Sequence, residues 1–125
     1  MIIGVGVDSV EIRRVIHSCE RSHFTERIFT KEEIAQFDKR KIRAASDFAG
    51  KEAVVKVFGT GFAGCEPADI EILRTDKGAP YVKLYGVARK IADELGITNI
   101  KISITNTSDT ATAFAVGSDE KEVGF

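Results

Sequence analysis

Glu52 and Lys56 stand four residues apart in FAGKEAVVKVFGTG, residues 48–61. On a helix that spacing sets a carboxylate and an ammonium on one side. At about 100° per residue, Ala45, Phe48, Ala49, Glu52, Ala53 and Lys56 share one arc. Val54, Val55, Val57 and Phe58 cover most of the remaining circumference. A helix apolar nearly all round is mostly buried. Charge there is unfavourable unless it is paired or meets an ion or ligand. Two readings stand. One is a supporting Glu–Lys pair on an exposed helix face. The other is a carboxylate that binds a cation beside a lysine that meets an anion. Gly59-Thr60-Gly61 lies at the Lys56 end. Glycines there stop a helix, and they also let backbone N–H groups approach a phosphate.

Asp8 adds a second carboxylate, at the end of the apolar run IIGVGVDSV, residues 2–10. Alone, it could cap a helix beginning at Ser9. Together with Glu52 and a lysine it makes a Mg²⁺–phosphate site. Mg²⁺ takes one or two carboxylates and fills its remaining positions with water and substrate phosphates. No Ser-His-Asp arrangement is offered, and His17 and His23 read as surface residues near the first helix.

These residues need elements to hold them. Residues 2–10 read as a strand, a buried one, and Ile12, Val15, Ile16 and Cys19 have helical spacing. Thr30 and Glu33 form a capping box that opens a short helix through Phe37. The long helix spans about Arg40 to Phe58. IEILR (70–74) and PYVKL (80–84) are two strands around a turn at Asp76-Lys77-Gly78. Val87, Ala88, Ile91, Ala92 and Leu95 mark a second amphipathic helix, closed by Gly96. NIKISIT (99–105) alternates with period two and can pair with ATAFAV (111–116) across Thr107–Thr110. Mixed strands and helices with locally paired final strands indicate an α+β fold, a small mostly antiparallel sheet packed with a long central helix.

The totals exclude several classes. A chain of 125 residues suits one domain spanning 1–125. Hydrophobic residues are 43% and charged residues 30%, with a formal net charge of −1. That balance drives the chain onto neither nucleic acid nor an anionic membrane. No apolar run approaches the roughly 20 residues of a membrane span, and the N-terminus does not read as a signal peptide. Cys19 and Cys65 lack metal spacing and read as small buried hydrophobes in a reduced, cytoplasmic protein.

GVGVDSVEIRR (4–14) and DFAGKEAVVKVFGTG (47–61) resemble the two signature motifs of the holo-acyl-carrier-protein synthase family, the small 4′-phosphopantetheinyl transferases. HFTERIFTKEEI (23–34), DKGAPYVKL (76–84) and ISITNTSDTATAFAV (102–116) extend the resemblance over nearly the whole chain. It implies transfer of 4′-phosphopantetheine from coenzyme A to a serine of an apo-acyl carrier protein, with Mg²⁺ on the pyrophosphate and adenosine 3′,5′-bisphosphate as the other product. The carrier could belong to fatty acid biosynthesis, a polyketide line or another pathway. By the same resemblance Asp8 and Glu52 are metal ligands, and both act in catalysis with Lys56. Lys56 neutralises phosphate or leaving-group charge, and Lys51 sits beside the substrate phosphates. Gly59, Thr60 and Gly61 shape the nucleotide pocket, to which Pro80, Asn106 and Thr107 also belong. The family assembles as homotrimers with active sites between subunits. It docks the carrier on the first helix, where Arg13, Arg14, Arg21 and Arg27 form a basic set diluted by Glu11, Glu20 and Glu26.

Lys39, Arg40, Lys41 and Arg43 cluster at the start of the long helix, where the helix dipole disfavours cations. Either this is a solvated basic turn or it meets an anion. The 3′-phosphate of coenzyme A and the acidic recognition helix of a carrier are both candidates by resemblance. The chain departs from the family at Asp47, where arginine is common, and at Asn106, where histidine or aspartate is common. An acid at 47 would repel phosphates, unless Arg43, four residues earlier, pairs with it. Asn106 can hydrogen-bond ribose or phosphate but cannot act as a base. These departures motivate a second expectation, a catalytically weak relative that binds coenzyme A or a carrier without transfer. A third is a structural α+β domain whose Glu52–Lys56 pair is a salt bridge.

Overall fold

The computed structural model describes residues 1–59 and 64–121. Strand β1 (Ile2–Glu11) leads into helices α1 (Ile12–Ser18), α2 (Ser22–Ile28), α3 (Lys31–Lys39) and α4 (Ile42–Phe58). A 3-10 turn at Pro67–Asp69 precedes β2 (Ile70–Arg74), β3 (Pro80–Leu84), α5 (Gly86–Leu95), β4 (Asn99–Asn106) and β5 (Thr110–Ser118). The strands form two antiparallel sheets, β1-β5-β4 and β2-β3, so the α+β expectation holds with the sheet in two pieces. The capping box at Thr30 forms as its sequence requires, with the Glu33 side chain accepting from the Thr30 N–H at 2.9 Å. Gly59 and Gly96 end α4 and α5 in the left-handed conformation, each at φ 78°. Helix α2 goes beyond the expected elements.

Alternation along β1 sorts its residues by face. Gly4, Gly6 and Asp8 point toward α4, whereas Val5 and Val7 point away and stay 55% and 52% exposed. The buried strand expected over residues 2–10 is therefore covered on one face. The inward positions of β5 are Ala111, Ala113, Ala115 and Gly117, and α4 answers with Ala45, Ala49 and Ala53, so the helix lies close on the sheet. Small residues here are what bring a helix side chain within reach of Asp8.

Gly6 shows how tight this seat is. A Cβ at Gly6 would overlap the Ala53 carbonyl oxygen and crowd the Lys56 Cβ at 2.9 Å. Gly6→Ala is expected to destabilise the protein by about 1–3 kcal/mol, because α4 must lift off β1. Thermal denaturation checks this. An unchanged melting temperature would mean that the helix has slack against the strand.

Candidate active site

Asp8 comes from β1 and Glu52 and Lys56 from α4. Lys56 Nζ donates to the Val7 carbonyl at 2.9 Å and to Asp8 Oδ1 at 3.1 Å. The ammonium thus crosses to the strand and makes no ion pair with Glu52 among the described residues. This removes the Glu52–Lys56 salt bridge as the reason for the two charges. Asp8 caps no helix, since α1 begins at Glu11 without a side-chain cap. Burial, and after it the charge of Asp8, pushes the Glu52 carboxyl above its usual range, while Lys56 opposes them. Two carboxylates held close enough to repel are a candidate pair for holding a cation. No group of three or more His, Cys, Asp or Glu able to hold a metal occurs among the described residues. A pair of carboxylates is still a set that suits Mg²⁺ carrying substrate phosphates and water.

Lys51 sits elsewhere than the phosphate position the resemblance implies. Its side chain is 0% exposed, and its ammonium donates to Glu33 Oε1 at 2.8 Å, the Pro67 carbonyl at 2.9 Å and the Ile70 carbonyl at 2.6 Å. All three donors are used, so none remains for a substrate. Glu33 is equally buried and also accepts from the Ile72 N–H at 2.9 Å. Burial pushes Lys51 down and Glu33 up, and each opposes the shift of the other. This pair ties α3, α4 and β2 together.

Asp47 also differs from expectation. It is buried and accepts from Arg74 Nη1 at 2.7 Å and from Gln36 Nε2 at 3.0 Å, so its partner is Arg74 and not Arg43. Burial raises its carboxyl to about 7 against the pull of Arg74. Sequence reasoning missed Arg74, Gln36 and the buried Glu71, which accepts from Thr30 at 2.6 Å and Tyr85 at 2.9 Å. A carboxylate inside the apolar strand IEILR was the available signal for Glu71.

The remaining predicted residues fall into two places. Pro80 opens β3, and Asn106 closes β4, where its Oδ1 accepts from buried Ser46 at 3.2 Å. The Thr107 hydroxyl serves its own turn, accepting from the Asp109 and Thr110 N–H groups. Asp8, Ala113 and Ile104 share one row across the sheet, so β4 lies two strands, or about 10 Å, from β1. Gly59 is the α4 cap, whereas Thr60 and Gly61 lie outside the described residues. Arg13, Arg14, Arg21 and Arg27 are all exposed around α1 and α2. A recess of about 390 Å³ between the end of β1 and α1 is lined by Ser9, Arg14, Ser18, Phe24 and Phe48, among others.

Residues 4–115 match the 4′-phosphopantetheinyl transferase superfamily. This chain belongs to that superfamily. It is 49% identical over 119 residues to a holo-[acyl-carrier-protein] synthase of Lachnoclostridium phytofermentans, covering 94% of this chain and 96% of that protein. It is 47% identical over 120 residues to a synthase of the same name from Clostridium kluyveri, at 93% and 90% coverage. Among solved structures, the holo-[acyl-carrier-protein] synthase of Neisseria meningitidis superposes with a TM-score of 0.85 at 32% identity, covering 94% of this chain and 99% of that one. The Helicobacter pylori synthase, solved with coenzyme A, gives 0.80 at 29% identity, with 91% and 99% covered.

Proposed function

We propose that this protein transfers 4′-phosphopantetheine from coenzyme A to a serine hydroxyl of an apo-acyl carrier protein, releasing adenosine 3′,5′-bisphosphate. The observation that carries the reading is Asp8 facing α4 beside Glu52, with Lys56 bridging to the strand. Superfamily membership and the coenzyme A bound in the Helicobacter pylori relative support the substrate. Asp8 and Glu52 would hold Mg²⁺, which when bound neutralises the pyrophosphate and polarises the attacked phosphoryl group.

The chain's own groups do the rest. Attack on a phosphoanhydride needs charge neutralisation and in-line placement more than covalent help. Lys56 spends two donors on Val7 and Asp8, and its side chain is 54% exposed, leaving a donor for a phosphate oxygen or the leaving group. A site carboxylate, or a water that it orients, takes the serine proton. Exposed Arg13, Arg14, Arg21 and Arg27 give an acidic carrier helix a docking surface, and Arg14 also lines the recess between the end of β1 and α1.

The same reading extends to assembly. Val5, Val7 and Phe114 leave an apolar face on the sheet opposite α4, with Phe114 46% exposed. This supports a homotrimer in which that face is covered and Pro80, Asn106 and Thr107 of one copy complete the site of another. No helix among the described residues is long and apolar enough to cross a membrane. Two unpaired cysteines support a reducing cytoplasm. The binding-only alternative loses its main motive, because the Asp47 carboxylate is taken up by Arg74 and does not face a phosphate.

Intact mass of an apo-acyl carrier protein after incubation with this protein, coenzyme A and Mg²⁺ tests the reading. The expected result is a gain of one phosphopantetheine, lost on chelation. No gain across several carriers, with coenzyme A still bound, would return weight to a binding protein.

A further inference from the structure

The row of β4 that faces α4 runs Ile100, Ile102, Ile104 and then Asn106, so an apolar row ends on an amide. This row lies along the helix. A Cβ on Gly50 would meet Ile102 Cδ1 at 3.2 Å, and one turn earlier Ser46 meets Asn106. Ser46 is only 2% exposed, so its hydroxyl needs partners within the protein. It has two acceptors, the Ile42 carbonyl at 3.3 Å and Asn106 Oδ1 at 3.2 Å. Its one hydrogen is shared between them. The first bond is the common back-bond of a helical serine. The second spans 60 residues of chain. Asn106 itself is exposed, and its amide nitrogen has no partner among the described residues.

We propose that Ser46 is a positioning residue: by holding Asn106 Oδ1 against α4 it turns the amide N–H groups outward, as donors to a phosphate oxygen of coenzyme A. The inference rests on the coenzyme A reading above, in which Asn106 of one copy completes the site of another. An unrestrained asparagine on a surface presents either its oxygen or its nitrogen. With the oxygen held inward, it presents two N–H donors and no charge. Donors without a competing acceptor suit an anion, and an amide keeps them at every pH near neutrality, as an imidazole does not. The tie is also dispensable to the fold. Without it Ser46 keeps the Ile42 carbonyl, Asn106 meets solvent, and Ile100, Ile102 and Ile104 still pack against the core. A hydrogen bond whose loss strands no buried group adds little stability, so what this one supplies is the direction of an exposed amide.

Calorimetry with coenzyme A tests this without turnover. Ser46→Ala is expected to weaken binding by about fivefold, the worth of one ordinary hydrogen bond, with a melting temperature close to that of the wild type. Asn106→Ala should weaken binding at least as much. Adding Ser46→Ala to Asn106→Ala should weaken it no further, because Ser46 acts through the amide. In the transfer assay the loss should fall on the KM for coenzyme A and not on the KM for the carrier. Asn106→Asp keeps an oxygen for Ser46 but replaces the N–H groups with a second, charged oxygen, so it should bind more weakly than Asn106→Ala. A Ser46→Ala loss that is the same with and without Asn106 overturns the proposal. So does a lowered melting temperature with unchanged binding, which would make Ser46 a structural tie. Wild-type affinity in Asn106→Asp would mean that the coenzyme does not meet the nitrogen, and overturns it too. A wild-type protein that does not bind coenzyme A would sink the coenzyme A reading and this inference with it. Wild-type binding that survives Asn106→Ala sinks only this inference.

Discussion

Glu52→Gln is expected to cut carrier modification by about a thousandfold while raising the melting temperature at pH 8. The activity loss follows from removing one of two charges that would hold the cation against the pyrophosphate, a group whose contribution grows in the transition state. The stability gain follows from the sign of the shift. Burial and Asp8 raise the Glu52 pKa in the folded protein above its unfolded value. Between those two values the folded state binds more protons, so stability falls as pH rises through that window. Above it the charged carboxylate is a net strain on the fold. Glutamine removes the strain, and the gain should vanish as pH drops toward the ordinary carboxylate range. Lost activity with gained stability is the pattern of a residue kept for function. A structural partner of Lys56 would behave in the opposite way, with full activity and a lower melting temperature. Asp8→Asn should lose activity to a similar degree, but it also frees Lys56 from one of its two tethers, so its stability gain should be smaller. Transfer at the wild-type rate in either variant would remove the pair from the mechanism.

Much of this site was legible along the chain, for a definite reason. Each element of the site announces itself locally. Alternation marks β1, and its inward row carries glycine, glycine and then Asp8. Helical spacing places Glu52 and Lys56 on α4, and Gly59 ends it. The bounds of β2 and β3 could be read residue for residue because a tight turn with Gly78 separates two short β-rich runs. Long-range pairing was not legible. A helical wheel says that Lys51 and Asp47 lie on buried arcs, but not which distant element covers them. Lys51 therefore read as a phosphate ligand when its partner is Glu33, a residue that sequence had already assigned as a helix cap. Asp47 was matched to the nearest cation in sequence, Arg43, when the fold supplies Arg74 from β2. The outward face of β1 misled for a related reason. Valine favours strands whether or not anything covers it, so Val5 and Val7 do not say by themselves whether their face of the sheet is covered. Helix α2 escaped notice because its seven residues, with no side-chain cap, bury only Ile28.

Lys51→Met separates a structural lysine from a phosphate-binding one more sharply than any other change. If Lys51 touched substrate, the variant would bind coenzyme A poorly and melt normally. The geometry predicts the reverse. Removing the ammonium strands Glu33, a carboxylate with no solvent exposure, and leaves the Pro67 and Ile70 carbonyls without their donor. Breaking a buried pair from one side costs about 3–5 kcal/mol. At roughly 4 °C per kcal/mol for a chain of this size, the melting temperature should fall by roughly 12–20 °C. The loss should shrink at low pH, because an unpartnered Glu33 escapes by taking a proton, its pKa being already raised by burial. A double mutant gives the decisive sign. In the wild-type background Glu33→Gln should destabilise, since it strands Lys51 and weakens the acceptors of the Thr30 and Ile72 N–H groups. In the Lys51→Met background the same change should stabilise, because it removes a buried charge that has lost its partner. A change that reverses sign with its neighbour can only come from direct coupling between the two. Additive effects would show instead that Lys51 and Glu33 act separately, and would reopen the phosphate role for the lysine.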